Sequence, residues 1–232
     1  MKRFFNTFAC LAAALTVSLV ASDVSAQVSS SSYSTGGVAR SSASGSGNVR
    51  LNARAAASNG GFASANMTGS GYNGGYATGN AIAASNGGVA IANGQSVANG
   101  WNARSNSNAV AASNYGVAIA NDSARAYGNA NANSMSGAFT TGGYSVANGS
   151  ALAQGYYGGQ AVANNTAISA VDYGVGIANG SANSNAIFGG QAISNSGAYS
   201  VGFGGYHESG ASAVSGAAFG GYGYSEAFHF SP

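Results

Sequence analysis

The sequence predicts an all-β chain folded as a parallel β-solenoid, or β-roll, with low-complexity flanks. Three observations lead there. Rare large residues return in register through a background of Gly, Ala, Ser and Asn. Within each repeat, apolar and small residues alternate with a period of two, the strand signature. Asn-Gly steps, which tolerate positive φ and favour tight turns, punctuate the repeats at short intervals. A helix is disfavoured, because Gly and Asn at this density each cost roughly 0.5–1 kcal/mol against Ala in a helix interior.

Residues 1–26 read as an export leader. Lys2 and Arg3 precede an almost wholly apolar run from Phe4 to Val20, and the small residues Ser25 and Ala26 precede Gln27. A basic start, a short apolar run and a small-residue cleavage site are the three parts of a secretory signal. The run, interrupted by Asn6 and Thr7, is shorter than the roughly 20 residues that span a bilayer. No second such run follows, so no transmembrane segment is expected in the mature chain. Too few apolar residues precede Cys10 for a lipoprotein signal, and Cys10 is the only cysteine. The mature chain therefore has no disulfide and depends on backbone pairing and small-residue packing.

From Gln27 onward the charges are Arg40, Arg50, Arg54, Arg104 and Arg125 against Asp122, Asp172, Glu208 and Glu226, five minus four or +1. Such a balance gives no basic footprint for nucleic acid. Scarce charge, with Pro232 the only proline, removes the usual obstacles to strand stacking. Scarce large aliphatics leave disorder as the competing reading.

Residues 27–79 read as a Ser/Gly-rich lead-in or irregular coils. Residues 80–200 carry the repeats. The unit from Asn80 to Gly94 returns from Asn108 to Asp122 at an offset of 28, and again from Ala167 to Gly180, 58 beyond Ala109. A half-way copy around Tyr144 places Tyr115, Tyr144 and Tyr173 in one register of 29, with Val117, Val146 and Val175 in another and Val110, Phe139 and Ile168 in a third. Self-similarity of this kind marks a solenoid. A finer beat near seven, broken by Asn-Gly, gives strands of about 4–5 residues and coils of about 14. Ala, Val, Ile and Gly fill the interior, so Val117 is placed inside and Ser123 outside. Residues 201–232, Gly- and aromatic-rich, read as a cap over the open end or as a sticky tail.

The segments from Val89 to Gly100 and from Val117 to Gly128 resemble the head repeats of trimeric autotransporter adhesins, which read roughly Val-Ala-Ile-Gly, two residues, Ser, one, Ala, one, Gly. The resemblance covers about residues 80–200. It implies a left-handed parallel β-roll of about 14 residues per coil. Ala92 and Ala120 stand where that family has Gly, and no heptad stalk or anchor segment follows the repeats.

No chemistry-bearing constellation emerges. Tyr206, His207 and Glu208 form the only local cluster and read as a solvated turn. Asp172 takes the register of Asn114, and Asp122 replaces a turn glycine. The repeated Asp of calcium-binding rolls is missing, and the Gly runs lack the Lys-Ser/Thr of a phosphate loop. No catalytic, cofactor or metal residue is assigned and no enzyme is expected. Sequons at Asn66, Asn121, Asn148, Asn164 and Asn179 are what an Asn/Ser-rich chain makes by chance. The candidate site is a surface aromatic ladder of Tyr115, Tyr144 and Tyr173, either a structural stack or an adhesive stripe. The expected function is that of a secreted structural or adhesive surface protein, self-associating or meeting other extracellular components. A self-assembling fibre subunit is the alternative; an ice-binding solenoid, for which Thr140 and Thr141 are the only adjacent threonines, and a disordered chain stand behind it.

Overall fold

The computed structural model describes residues 16–20, 26–72, 75–156, 160–171, 174–187, 190–201, 205–218 and 221–231. Of the expected leader, residues 1–15 and 21–25 lie outside these. Every regular element among the described residues is a β-strand. No described helix is long and apolar enough to cross a membrane.

The chain winds as a parallel β-solenoid, each turn contributing one strand to each of two eight-stranded sheets. The odd sheet stacks β1 (Thr16–Val20), β3 (Val38–Ser46), β5 (Phe62–Gly71), β7 (Val89–Gly100), β9 (Gly116–Gly128), β11 (Gly143–Gly155), β13 (Gly174–Ala186) and β15 (Gly205–Ala217) in that order. The even sheet stacks β2 (Ala26–Thr35), β4 (Val49–Ser58), β6 (Tyr76–Asn86), β8 (Arg104–Asn114), β10 (Ala130–Thr140), β12 (Gln160–Val171), β14 (Gln191–Val201) and β16 (Tyr222–Phe230). The strands on either side of residues 80 and 200 belong to the same two sheets. The expected solenoid is present, and the chain is not a disordered one.

The coil is longer than the finer beat suggested. Strands β2 to β16 run 9 to 13 residues, and one coil takes two of them. The step between paired residues is 23 from Ala26 to Val49, 28 from Val89 to Val117, 27 from Val117 to Tyr144 and 31 from Tyr144 to Val175. A coil of about 14 is therefore corrected to one of 23–31. The cause lies in the Asn-Gly steps. Asn86 and Gly87 do sit at a bend, but Asn93-Gly94, Asn148-Gly149 and Asn179-Gly180 lie inside β7, β11 and β13. There Asn points out and Gly points in, so the pair marks a change of face rather than a change of direction.

The interior holds the expected Ala and Gly, but most of the Val and Ile expected beside them lie outside. Along β9, Ala118 and Ala120 are fully buried, while Val117 and Ile119 are only half-buried on the outside. The same holds for Ala90 and Ala92 against Val89 and Ile91 in β7. Val117 thus shares the outer face with Ser123. The two sheets face each other mainly through Ala, Ser and Gly, a shallow layer in which only a few branched aliphatics, Val28, Val49, Leu51 and Val171, are buried among the described residues. Larger inward residues need glycine opposite them: Leu51 fills the room left by Gly45 and Gly69, and Met67 that left by Gly79. Some interior hydroxyls are bonded across the layer, as Ser96 with Ser105 at 2.6 Å and Ser184 with Ser194 at 2.7 Å, which offsets the penalty of burying them, whereas the Ser136 and Ser196 hydroxyls are buried without a partner.

Ala120→Leu should therefore destabilise by about 3 kcal/mol through overpacking, and Val117→Asp by about 1 kcal/mol through lost strand propensity. Urea unfolding of the two variants checks this. The opposite order would return the large residues to the interior.

Candidate functional surfaces

The bends leading into β3, β5 and β7 are built alike. Gly36, Gly60 and Gly87 take positive φ, and a second glycine follows each. Those following glycines stack so closely that a Cβ on Gly88, Gly116, Gly143 or Gly174 would strike the carbonyl of the corner glycine one coil earlier. The amide of Val89 bonds to Gly61 O and that of Val117 to Gly88 O, while Ser85 and Ser113 hydroxyls donate to Gly61 O and Gly88 O at 2.7 and 2.9 Å.

Tyr115 takes the slot of Gly87 in this bend, with φ of 53° and 72% of its surface exposed. Positive φ strains a bulky residue. Its ring lies against Gly142, the equivalent bend residue of the next coil. Tyr144 is elsewhere: it lies outward on β11, paired with Val117 and Val175. Tyr173 lies outside the described residues. Tyr115 and Tyr144 are thus both at the surface but on different ranks. The sequence register of 29 misleads because successive steps are 27 and 31, whose total is the 58 that the sequence shows. For the same reason Val146 pairs with Ile119 and Ile177, and Val110 and Ile168 flank Gly137 rather than Phe139.

Asparagine ladders run along both outer faces. On the odd sheet Asn93, Asn121, Asn148 and Asn179 each donate Nδ2 to the Asn one coil before, starting from Asn66, at 2.8–3.1 Å. On the even sheet Asn106, Asn133, Asn164 and Asn195 form a second ladder and Asn52, Asn80 and Asn108 a third. All five sequon asparagines are ladder members. On the odd sheet Thr68, Ser123, Ser150 and Ser181 form the polar rank two places on. The sequon is a by-product of adjacent structural ranks.

Beside the odd ladder runs an apolar strip two ranks wide. Phe62, Val89, Val117, Tyr144, Val175 and Tyr206 form one rank, and Ile91, Ile119, Val146 and Ile177 the other. At about 4.8 Å per strand the isoleucine-valine rank alone extends roughly 14 Å. The even face carries a shallow recess of about 410 Å³ around Phe139, floored by Ala84, Ala112 and Ala170. Thr140 is buried, with its hydroxyl donating to Gly142 O at 3.1 Å, and Thr141 bonds Asn114, so the two do not begin a threonine rank.

Among the described residues Asp122 is the buried ionisable group. Asp122 is buried in β9 between Gly94 and Gly149 of the neighbouring coils, in the strand interior and not at a turn. Ser107 and Ser134 hydroxyls donate to its carboxyl, the latter at 2.7 Å, as does the Met135 amide at 2.9 Å. Burial pushes its pKa up to about 7, against the smaller opposing pull of these hydrogen bonds. Gly94 must lack a side chain because Asp122 occupies that space, and Gly149 likewise clears Asn165.

The last coil gathers the aromatic tail. Tyr206 and Tyr224 hydroxyls donate to Glu208 and Glu226 at 2.9 Å, which raises both phenol pKa values. In the backbone register His207 pairs with Gly176. Asp172 lies outside the described residues. Among the described residues no three His, Cys, Asp or Glu side chains gather to hold a metal. No family model, curated protein or solved structure matches the chain.

Asp122 makes stability depend on pH. The folded state holds its proton more tightly than the unfolded chain, whose carboxyl titrates near 3.8. Stability is therefore greatest below that value and falls as pH rises toward 7, by at most ~4 kcal/mol. Asp122→Asn should flatten that window in denaturant titrations from pH 4 to 8; an unchanged slope would assign the effect to other groups. Tyr115→Gly should stabilise the bend by about 1 kcal/mol through relief of positive-φ strain, read as a higher melting temperature. A lower one would show that the ring's contact with Gly142 outweighs the strain.

Proposed function

We propose that the chain is an exported structural or adhesive repeat protein that acts through its outer surface, without enzymatic chemistry. The carrying observation is the apolar strip of the odd sheet. Ordinary solenoids bury their branched aliphatics. This one presents Ile91, Ile119, Val146 and Ile177 outward beside a valine-tyrosine rank, and a continuous apolar strip on a charge-poor body is suited to contact with another surface. The basic and apolar start of the chain supports export. The likeness of residues 80–200 to adhesin head repeats supports the same reading, and a Val-Ala-Ile strand in this fold sets Val and Ile on the contact face. A second reading, a fibre subunit, is favoured by the free strand edges of the last coil.

The test is adsorption of residues 27–232 to alkyl-coated and hydroxyl-coated sensors. The wild-type chain should be retained on the alkyl surface, and Ile119→Thr with Val146→Thr should cut retention at least fivefold while leaving the melting temperature within a few degrees. Retention equal to wild type would remove the strip from the function.

A further inference from the structure

Two features of the odd face go beyond its being apolar. The first is charge. The isoleucine rank begins at Arg40 on β3, passes through Ser64, Ile91, Ile119, Val146 and Ile177, and ends at Glu208 on β15. Both end residues are exposed. Arg40 lies over the Phe62 ring at 5.8 Å, and Glu208 accepts the Tyr206 hydroxyl at 2.9 Å. The strip therefore has one positive end and one negative end. Arg50 and Arg54 on β4 and Glu226 on β16 follow the same polarity.

The second is size. The neighbouring rank reads Val38, Phe62, Val89, Val117, Tyr144, Val175 and Tyr206. When this rank is reversed about Val117, each aromatic meets a valine: Tyr206 meets Val38, Phe62 meets Val175 and Tyr144 meets Val89. The same reversal of the isoleucine rank about Ile119 sets Glu208 against Arg40, Ile177 against Ser64 and Val146 against Ile91. Val117 and Ile119 both stand on β9, the fourth of the seven odd strands from β3 to β15. A centre half a strand away on either side sets Phe62 against Tyr206 or Tyr144 instead.

We propose that the strip pairs with the same strip of a second copy of this chain, face to face and antiparallel, about a two-fold axis along β9. This rests on the reading of the strip as a contact surface and names what it contacts. Rotation about the strand direction turns the face over, reverses the solenoid axis and leaves each rank opposite its own copy. Large side chains then meet small ones, as close packing requires. Arg40 meets Glu208 of the other copy, once on each side of the axis, in the isologous manner of a closed dimer. A two-fold along the solenoid axis sets Phe62 on Phe62 and Arg40 on Arg40. A uniformly apolar surface such as a lipid leaf leaves both charges unmatched.

The area suffices for such a pair. Six strand steps from Arg40 to Glu208 extend about 29 Å, and the two apolar ranks with the adjoining asparagine ladder span about 20 Å along the strands. Two copies bury about 1,200 Å² together, the lower end of specific interfaces. Arg125, also on β9, lies six residues beyond Ile119, about 20 Å along the strand. The axis sets it opposite its own copy, so like charges confine the contact to these three ranks.

A single cysteine on the axis tests the arrangement. Cys10→Ser in the full chain leaves no other thiol. Facing sheets lie about 10 Å apart, within reach of a short thiol-to-thiol cross-linker. Ile119→Cys should then give cross-linked dimers. Ile177→Cys, two strands from the axis and thus about 20 Å from its counterpart, should give at least tenfold fewer. Equal yields from both would overturn the antiparallel arrangement. In sedimentation at low salt, Arg40→Glu and Glu208→Arg should each weaken the dimer at least fivefold, and the double swap should restore it to within twofold. A double swap as weak as the singles would overturn the charge pairing, and a dimer unchanged by Ile119→Thr with Val146→Thr would place the contact elsewhere. A chain that stays monomeric at all concentrations, yet loses alkyl retention in that threonine variant, would overturn the second copy and leave the adhesive reading standing. Dimers that cross-link through Ile119→Cys, with alkyl retention indifferent to the threonines, would do the reverse.

Discussion

The depth of the interior governs the rest of this structure. Two parallel sheets face each other across a layer made mainly of Ala, Ser and Gly side chains, with Ala92, Ala120, Ala147 and Ala178 fully buried in one continuous line. A layer of methyl groups removes little apolar surface per coil from water. The fold is held mainly by repetition: each strand bonds its backbone to the strand before and after, and each coil is stable only against its neighbours. What would form the core of an ordinary domain is expelled to the outside. The apolar strip follows from the same constraint that makes the interior thin.

Small residues also explain how polar groups are tolerated inside. A serine hydroxyl is short enough to reach the facing sheet, either a hydroxyl there, as Ser96 reaches Ser105, or a carbonyl, as Ser200 of β14 reaches Gly176 O of β13 at 2.8 Å. Asp122 and Asn165 are exceptions in size: Asp122 is accommodated by Gly94 and Gly149 at the same rank in adjacent coils, and Asn165 by Gly149 and Gly180 of the facing sheet. Outside, the asparagine ladders do for side chains what the backbone does for the main chain, with each amide donating to the one before it. The combination makes Asn-Gly a structural unit of the strand: an external ladder residue followed by an internal vacancy.

Coil length is free to vary because faces, not lengths, must be conserved. A strand alternates its side chains with period two, so a change of register within it is tolerated only when the bends restore parity. The steps lengthen from 23 in the first coils to 31 in the last, and the difference is taken up at bends and strand ends while Ala stays inside and Asn outside. This drift moved Tyr144 off the rank of Tyr115 and onto that of Val117.

The sequence by itself determined the all-β class, the solenoid, the repeat near 28 residues and the alternation of two faces along each strand. Those features are local or periodic: the return of Asn80–Gly94 at Asn108–Asp122 is visible in the letters, and parallel stacking places the two in register. Only the tertiary structure decided which face is the inside. Alternation of Val and Ala in the segment from Val117 to Ala120 is the same pattern whichever side is buried. The choice depends on the distance to the opposite sheet, a property of two strands far apart in sequence. It likewise decided that Asn93-Gly94 lies within a strand and that Asn86-Gly87 lies at a bend. The dipeptide has the same backbone freedom in both places, and the difference is whether the neighbouring coils stack a ladder of asparagines or a corner of glycines upon it.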